Sequence, residues 1–540
     1  MPATAGPLEE AALTDSSEAC AADRSRGRDA RGTAILALVT LLSAGCASLP
    51  KLDARTASTA LTDTADTPLG RYVRTANTAD PDKSGIYALG NPEESFAARV
   101  LLVRQAQRSL DVQYYIWHAD TTGYLLFEEC WNAAERGVRV RLLLDDNNTS
   151  GLDDTIAALD SHADIEVRLF NPFANRGFRA WGYVTDFGRL NRRMHNKSLT
   201  ADTQVTIVGG RNVGDEYFGA GEGMVFADLD VLAAGRIAGD VADAFDLYWN
   251  SDSAYPAELI VGRAAVDAVP ELKKKFAAVR TSQEAAEYLD AVRRTRLIEA
   301  LLADQLTLDW SATHLVYDEP AKALGEVEAS ELLFTRLQQA LGKPQREVDL
   351  ISPYFVPGTE GTKALAALPG QGVRLRVLTN SLAATDVGAV HAGYAKRRET
   401  LLRGGVQIYE LKPDPGDIAA REKAKSKGKG SSAASLHAKT FSVDRNRVFV
   451  GSFNFDPRSY NLNTELGVVI ESPKLAEGIS NTLDRDIARS AYEVTLKDNG
   501  LEWLERTDQG ETRYDKEPKT SFWKRFGVGF MSILPIEWML

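Results

Sequence analysis

Two stretches of this chain repeat one another, and that repetition limits the available folds more than any other feature. His195-Asn196-Lys197 is followed by Asp202, by Gly209 and Gly210, and by Asn212. His437-Ala438-Lys439 is followed, at the same offsets, by Asp444, by Gly451 and Ser452, and by Asn454. The chain holds only six His, and two of them open this pattern. One bare His-x-Lys is a chance event; two with matching tails mark an internal duplication that carries one piece of chemistry.

The surroundings repeat as well. Gly137-Val-Arg-Val-Arg-Leu-Leu-Leu-Asp145 matches Gly372-Val-Arg-Leu-Arg-Val-Leu-Thr379. Leu110–Ile116 matches Val348–Phe355, and Ile165–Phe170 matches Gly405–Tyr409. These short apolar runs read as strands, with helical spacing ahead of the first over about 93–109 and between it and the second over about 123–136. Strands alternating with helices predict an α/β fold of mixed sheets flanked by helices. The repeat is far longer than a solenoid unit, so it is a domain duplication. Two halves packed around a pseudo-twofold axis would bring both His motifs to one shared active site. The expected division is a half at 91–254, a mostly helical connection at 255–340 and a second half at 341–495. Segment 47–90, aperiodic and rich in Ser, Thr, Ala, Asp and Pro, reads as a tether. Residues 496–540 read as an amphipathic tail.

The N-terminus points to a compartment. Arginines at 24, 26, 28 and 31 precede an apolar run of about ten residues, Thr33–Leu42, too short to span a bilayer. Ser43-Ala44-Gly45-Cys46 follows, which makes a secretory signal over 1–46 resembling that of a bacterial lipoprotein. By that resemblance Cys46 is lipidated and the protein faces the periplasm from the cell envelope. Ala47 is not the Asp that commonly retains lipoproteins at the inner membrane, so the outer membrane is preferred. With Cys20 removed and Cys46 acylated, Cys130 stands alone and no intrachain disulfide is possible.

The segment after each His alternates towards apolar, which places His and Lys on one face at the start of a strand. Two Lys and two Asn can hold an anionic tetrahedral group, while Gly209, Gly210, Gly451 and Ser452 let the backbone approach the substrate. A phosphodiester fits that inventory. Chemistry through histidine needs one neutral imidazole as nucleophile and one charged imidazole to protonate the leaving oxygen. A carboxylate on the far ring nitrogen fixes each tautomer; Asp228 and Glu465, at corresponding places after the two motifs, are the candidates. Asp202 and Asp444 join the catalytic set, with a structural role at the strand turn as the alternative. A charged Lys cannot ligate, and no His/Asp/Glu cluster stands out, so neither metal nor cofactor is expected. His118, His162 and His314 read as ordinary.

With those residues in view, the chain resembles the phospholipase D superfamily, whose signature is a duplicated His-x-Lys-x4-Asp. The likeness covers about residues 90–495. Gly451-Ser-Phe-Asn-Phe-Asp-Pro-Arg-Ser459, Leu462-Asn-Thr-Glu465, Asp386–Tyr394 and Leu-Pro-Ile-Glu at 534–537 are similar to bacterial cardiolipin synthases in particular. Arg421–Gly430, a Lys/Gly-rich stretch just before His437, departs from that pattern. The resemblance implies a duplicated phospholipase D fold and a phosphatidyl-histidine intermediate. His195 would then be the nucleophile and His437 the acid. Water would release phosphatidic acid; a lipid hydroxyl, such as that of phosphatidylglycerol, would give transfer. Phosphatidylglycerol or phosphatidylethanolamine would be the donor.

A net charge of −12 argues against a nucleic-acid partner, so a nuclease is the weaker alternative. A non-enzymatic scaffold does not explain two intact motifs. Phe173, Phe178, Trp181, Tyr183 and Phe187, interleaved with Arg176, Arg179, Arg189, Arg192 and Arg193, suit an anionic lipid interface or single-stranded nucleic acid. Basic stretches at 273–275 and 293–296 read as solvated helix faces. The aromatic end, Phe522 to Trp538, either docks on the domain or meets a membrane.

Overall fold

The duplicated apolar runs become the central strands of two mixed sheets. The computed structural model describes residues 48–540 apart from 54, 78–79, 221–226, 304, 386, 414–435, 498–499, 535–536 and 538–539. The signal, Cys46 and the Lys/Gly-rich stretch at 421–430 therefore lie outside the described residues. Ala174–Phe187 groups with the N-terminal residues through Leu49 as a unit apart from the rest. Within it, the short helix Arg179–Thr185 has no buried side chain.

The first sheet has nine strands, in the spatial order Ala254–Pro256, Ile165–Phe170, Arg139–Asp145, Ser109–Tyr114, Ser198–Ala201, Val205–Gly209, Asp230–Gly235, Ser84–Leu89 and Asp309–Ser311. The second has ten: Thr313–Tyr317, Leu466–Ile470, Arg447–Gly451, Thr440–Val443, Glu347–Ile351, Arg374–Asn380, Gln407–Leu411, Ala491–Lys497, Gly500–Thr507 and Gly510–Tyr514. In each, three neighbouring strands run parallel and the His-bearing hairpin joins antiparallel.

The duplication extends to buried charge. Arg141 Nε donates to Asp111 at 2.6 Å and its Nη2 lies 2.7 Å from Asp246, on the helix Arg236–Trp249. Arg376 Nε donates to Asp349 at 2.7 Å and Nη1 to Asp484, on the corresponding helix Pro473–Ser490. Each arginine interrupts an apolar strand, so its charge demands the carboxylates beside it; removing one partner of such a pair costs about 3–5 kcal/mol. The halves meet through one apolar cluster, with Val208, Val231 and Ile237 from the first and Val450, Val468 and Ile470 from the second.

Three stretches differ from the sequence reading. The tether reading of 47–90 gives way to a helix, Pro68–Ala76, and an edge strand, Ser84–Leu89. Thr67 caps that helix ahead of Pro68, a start signal obscured by the polar composition around it. In the connection, four helices between Ala257 and Leu302 cover the first half, burying Leu272, Phe276, Tyr288 and Leu297 in its core. The chain then crosses from one sheet to the other as adjacent edge strands, Asp309–Ser311 and Thr313–Tyr317, too short to show a period. In the tail, the hairpin of Gly500–Thr507 and Gly510–Tyr514 extends the second sheet, and Phe522–Ile533 forms a helix. Lys273, Lys274 and Lys275 are exposed.

Candidate active site

Both His residues stand immediately before a strand of their half, at the rim between the two halves. Backbone pairing fixes them there: His195 N donates to Thr464 O at 2.9 Å, and His437 N to Ala227 O at 2.8 Å. Each His segment thus adds to the other half, and that exchange carries the carboxylates with it. His195 Nδ1 lies 2.8 Å from Glu465 Oε2, and His437 Nδ1 lies 2.6 Å from Asp228 Oδ2. Neither half completes its own histidine.

The two imidazoles flank a cavity of about 380 Å³, walled by Tyr115, Asn212, Tyr217, Tyr354, Asn454 and Arg458 among others. Tyr115 meets the His195 ring edge-on at 4.9 Å, and Tyr217 meets His437 at 5.3 Å. Lys197 Nζ donates to His195 O at 2.5 Å and sits over the Tyr115 ring. Lys439 Nζ lies 3.0 Å from His437 Nδ1 and donates to His437 O. Asn212 Oδ1 accepts from Ile116 N at 3.1 Å, which leaves its buried Nδ2 without a protein acceptor. Asn454 likewise buries an unpartnered amide oxygen. Arg458 is held by Asn191, through 2.8 and 2.9 Å bonds.

Burial and the neighbouring cations push both imidazoles towards the neutral form. His195 lies well below the ordinary value, through desolvation and then Lys197 and Lys439. His437 falls to about 4, through desolvation and Lys439, against the pull of Asp228. The carboxylates diverge. Burial opposes the charge on both, but Lys439 and His437 hold Asp228 well below the usual range. For Glu465 burial prevails over Lys197 and raises it to about 7. Lys197 is lowered well below an ordinary lysine, chiefly by burial. Lys197, Lys439 and Arg458 face Asp228, Glu465 and the cavity-lining Asp456, and burial raises both Glu465 and Asp456 to about 7. With two of the three carboxylates pushed towards the neutral form, the site favours an anion.

Glu465 is the more elaborately held. Ser452 Oγ and Ser459 Oγ both donate to its carboxylate, the latter at 2.6 Å, and its backbone N donates to Asp318 Oδ2 at 3.0 Å. Lys322 Nζ bridges Asp318 Oδ2 at 2.8 Å and Ser459 O at 2.9 Å. Sequence reasoning missed Asp318, Lys322, Tyr115, Tyr354 and Arg458. An Asp and a Lys four apart within 318–322 are the only trace of the first pair, and in a charged connecting region they look like any exposed helical pair.

Asp202 and Asp444 do not belong to the catalytic set. A four-residue strand separates each from its Lys, about 13 Å of extended chain. Asp202 Oδ1 accepts the backbone N–H groups of Arg108 at 2.7 Å and Ser109 at 3.0 Å, and Gln107 N joins them. Asp444 does the same for Gln345, Arg346 and Glu347. Both also open a tight turn in which two successive residues have positive φ, 50° and 56° in one copy and 56° and 52° in the other. Asp tolerates that conformation, and its carboxylate anchors the start of the neighbouring strand. Their fixed spacing from His is hairpin geometry.

The glycines do not face a substrate either. A Cβ on Gly210 would lie 2.2 Å from Asp228 Oδ1, one on Gly209 2.0 Å from Asp230 Oδ1, and one on Gly451 2.6 Å from Leu466 O. They clear space for the carboxylates and the adjacent strand, and Ser452 spends its hydroxyl on Glu465.

The aromatic–arginine stretch before the first motif is also reassigned in part. Phe173 is buried beneath Arg193, whose guanidinium donates to Asp145 at 2.6 and 2.9 Å. Arg189 donates to Pro172 O at 3.0 Å, and Arg192 to Lys322 O at 3.1 Å. Phe178 and Phe187 are exposed.

His118 is not an isolated residue: His118, Asp120 and Glu216 form the one cluster among the described residues with three potential ligand atoms within 4.8 Å of each other. Asp120 already accepts from Gly123 N and Asp215 N, at 2.9 Å each, as a helix cap. His118 Nδ1 lies 3.2 Å from Glu216, which raises its pKa. The cluster reads as a cap and an ion pair.

Comparison with known proteins agrees with this geometry. The family model described as "Cardiolipin synthase, PLD-like domain" matches twice, over residues 101–249 and 337–487. The chain belongs to this phospholipase D-like family. It is 48% identical over 465 residues to cardiolipin synthase C of Escherichia coli strain K12, covering 85% of this chain and 97% of that protein. It is 25% identical to cardiolipin synthase A of Pseudomonas syringae, over 76% and 69% of the two chains. The crystal structure of a phosphatidylserine synthase from Haemophilus influenzae shares the fold, with a TM-score of 0.54 at 13% identity over 87% of this chain and all of that one. The two family matches are the two duplicated halves, so the single cavity with its exchanged carboxylates is the product of both phospholipase D-like domains.

Proposed function

We propose that this protein is a cardiolipin synthase that moves a phosphatidyl group between lipids through a phosphohistidine. The observation that carries the reading is the pair of exchanged contacts, His195–Glu465 and His437–Asp228, facing each other across one cavity. With both Nδ1 atoms turned to carboxylates, Nε2 is the reacting nitrogen on each ring.

The donor's phosphodiester sits between Lys197 and Lys439, with Asn212 Nδ2 as a further donor. His195 Nε2 attacks phosphorus; the bond to the headgroup oxygen breaks, and that oxygen takes a proton from His437. The diester's negative charge and ionised Asp228 favour the protonated His437 needed at this step. A primary hydroxyl of phosphatidylglycerol then attacks the phosphohistidine, gives its proton to His437 and releases His195. Asp228, held ionised, suits the residue that must carry a charge. Glu465, near neutrality, suits the partner of an imidazole that must be neutral to attack. Phosphatidylglycerol and phosphatidylethanolamine both fit as donors.

Purified protein incubated with headgroup-labelled phosphatidylglycerol or phosphatidylethanolamine, with products followed by mass spectrometry, tests this. Cardiolipin with released headgroup is expected. Phosphatidic acid alone would replace transfer with hydrolysis.

The N-terminal residues support an envelope location: the basic flank, the short apolar run and Ser43-Ala44-Gly45 before Cys46 suit acylation at that Cys on the periplasmic side, and Ala47 in place of Asp favours the outer membrane. No helix among the described residues is long and apolar enough to cross a membrane. Metabolic labelling with palmitate that persists in Cys46→Ala would rule the anchor out.

A further inference from the structure

The helix Phe522–Ile533 is apolar on the side turned away from the protein. Val528 is buried and, with Met531, packs against Leu382 and Ala392. Met531 Cε comes within 3.4 Å of the Cβ position of Gly388, so the small residue seats the helix. The opposite face repeats Phe522, Phe526, Phe530 and Ile533 at helical spacing, with Trp523 beside them; they are 63, 58, 58, 81 and 76% exposed, respectively. A helix docked only to stabilise the domain would bury its aromatics; this one leaves all four of them exposed and buries only Val528.

Charge and position identify what covers that face. Lys516 and Lys519 are exposed and Lys524 and Arg525 half-exposed along the same segment, in a chain of net charge −12. Of the segment's carboxylates, Glu517 and Glu537 are taken up by Arg398 and Arg397, and Asp515 is exposed beside Lys516. The helix rests on Gly388–Ala395, and Val387 and Val390 at the start of that element line the catalytic cavity. After the helix the chain returns to the same cavity, where Leu540 lines the wall and accepts from Arg458 N at 2.7 Å. The buried pair His391–Glu517, at 3.1 Å, clamps the segment's other end.

We propose that Phe522–Ile533 is an interfacial anchor that lies in the surface of an anionic phospholipid bilayer and holds the cavity mouth against it. Aromatic side chains enter the headgroup boundary while the flanking cations meet lipid phosphates, as expected for a helix lying in the plane of the interface. Substrate then reaches His195 and His437 without leaving the membrane. The inference rests on the lipid-substrate reading only for its activity arm.

The test uses the full chain with Cys20→Ala and Cys46→Ala, which removes any acyl anchor and leaves only the buried Cys130 besides the probe. An environment-sensitive fluorophore on Ile533→Cys should shift to the blue with phosphatidylglycerol vesicles, and much less with phosphatidylcholine alone. An unchanged spectrum on anionic vesicles would overturn the proposal, as would a shift produced equally by self-association without lipid. In a second arm, Phe526→Ser with Phe530→Ser should lower turnover of vesicle-embedded substrate at least tenfold while leaving turnover in detergent micelles within twofold. Equal loss in both would overturn the anchoring role. Should the enzyme show no transfer at all, the fluorescence arm still decides whether the helix meets the bilayer.

Discussion

The two halves of the molecule share a plan and differ where the chemistry differs. Each supplies one His, one Lys, one Asn and one carboxylate, and each gives its carboxylate away. In the first half Gly210 leaves room for Asp228; at the corresponding place in the second, Ser452 donates to Glu465. Asp228 lies against Lys439 and stays ionised, whereas burial raises Glu465 to about 7 against the pull of Lys197 and its two serine donors. A symmetric scaffold thereby yields two unlike histidines. Half a site has no function alone, so the duplicated domains must stay packed for either to act.

The sharpest break in that symmetry is at the histidines. His195→Asn should lower turnover on the order of 10⁶-fold, as loss of a covalent nucleophile does. His437→Asn should cost about 10²–10⁴-fold and be rescued by a donor with a p-nitrophenol headgroup, which needs no acid. Single-turnover assays with both donors check this; rescue of His195→Asn instead would reverse the assignment.

The carboxylates come next. Asp228→Asn should lower turnover by about 10⁴-fold, since an amide can hold the wrong tautomer and cannot stabilise an imidazolium. Glu465→Gln should cost only about 10²-fold, because His195 needs orientation more than charge. The effect of Asp228→Asn should fall on His437: the p-nitrophenol donor should rescue it and not Glu465→Gln. Rescue of Glu465→Gln would mean that the carboxylates serve their own halves.

How much of this was legible in the sequence follows from what each residue answers to. His195, Lys197, His437 and Lys439 repeat at fixed offsets, and the strands around them repeat with them, so the fold and the paired motif were plain. Asp228 and Glu465 were visible as corresponding positions. Which histidine each serves was not, because that depends on how the halves pack across Val208, Val231, Val450 and Val468. Asp202 and Asp444 misled for a physical reason: hairpin geometry conserves spacing as strictly as catalysis does. Asp318 and Lys322 were hidden because burial alone separates them from an ordinary surface pair; both are essentially inaccessible to solvent.

That turn reading separates the two copies again. Asp202→Ala should destabilise the fold by about 2–4 kcal/mol, since three backbone amides lose their acceptor at a buried site. Asp444→Ala should cost less, as the residue is 8% exposed where Asp202 is fully buried, and water can replace its carboxylate in part. Urea unfolding gives both values, with activity per folded molecule unchanged. An Asp202→Ala protein of normal stability but no activity would return this residue to the catalytic set.

The smallest effect tests the electrostatic difference directly. Glu465 has a folded pKa of about 7, above its ordinary 4.5. Between those values the unfolded chain has released a proton that the folded one keeps, so this group's contribution to stability falls as pH rises. His437 is the reverse: its folded value of about 4 lies below 6.5, so between them the folded chain is the less protonated and stability rises with pH. Each slope amounts to about 3 kcal/mol at most, and over pH 4.5–6.5 they oppose each other. Relative to the parent protein, Glu465→Gln should therefore gain stability from pH 4.5 to 6.5, and His437→Asn should lose it. Urea midpoints at pH 4.5, 5.5 and 6.5 measure both. Two difference curves of the same sign would mean that the halves are electrostatically alike, and the division of labour between His195 and His437 would have to come from the substrate.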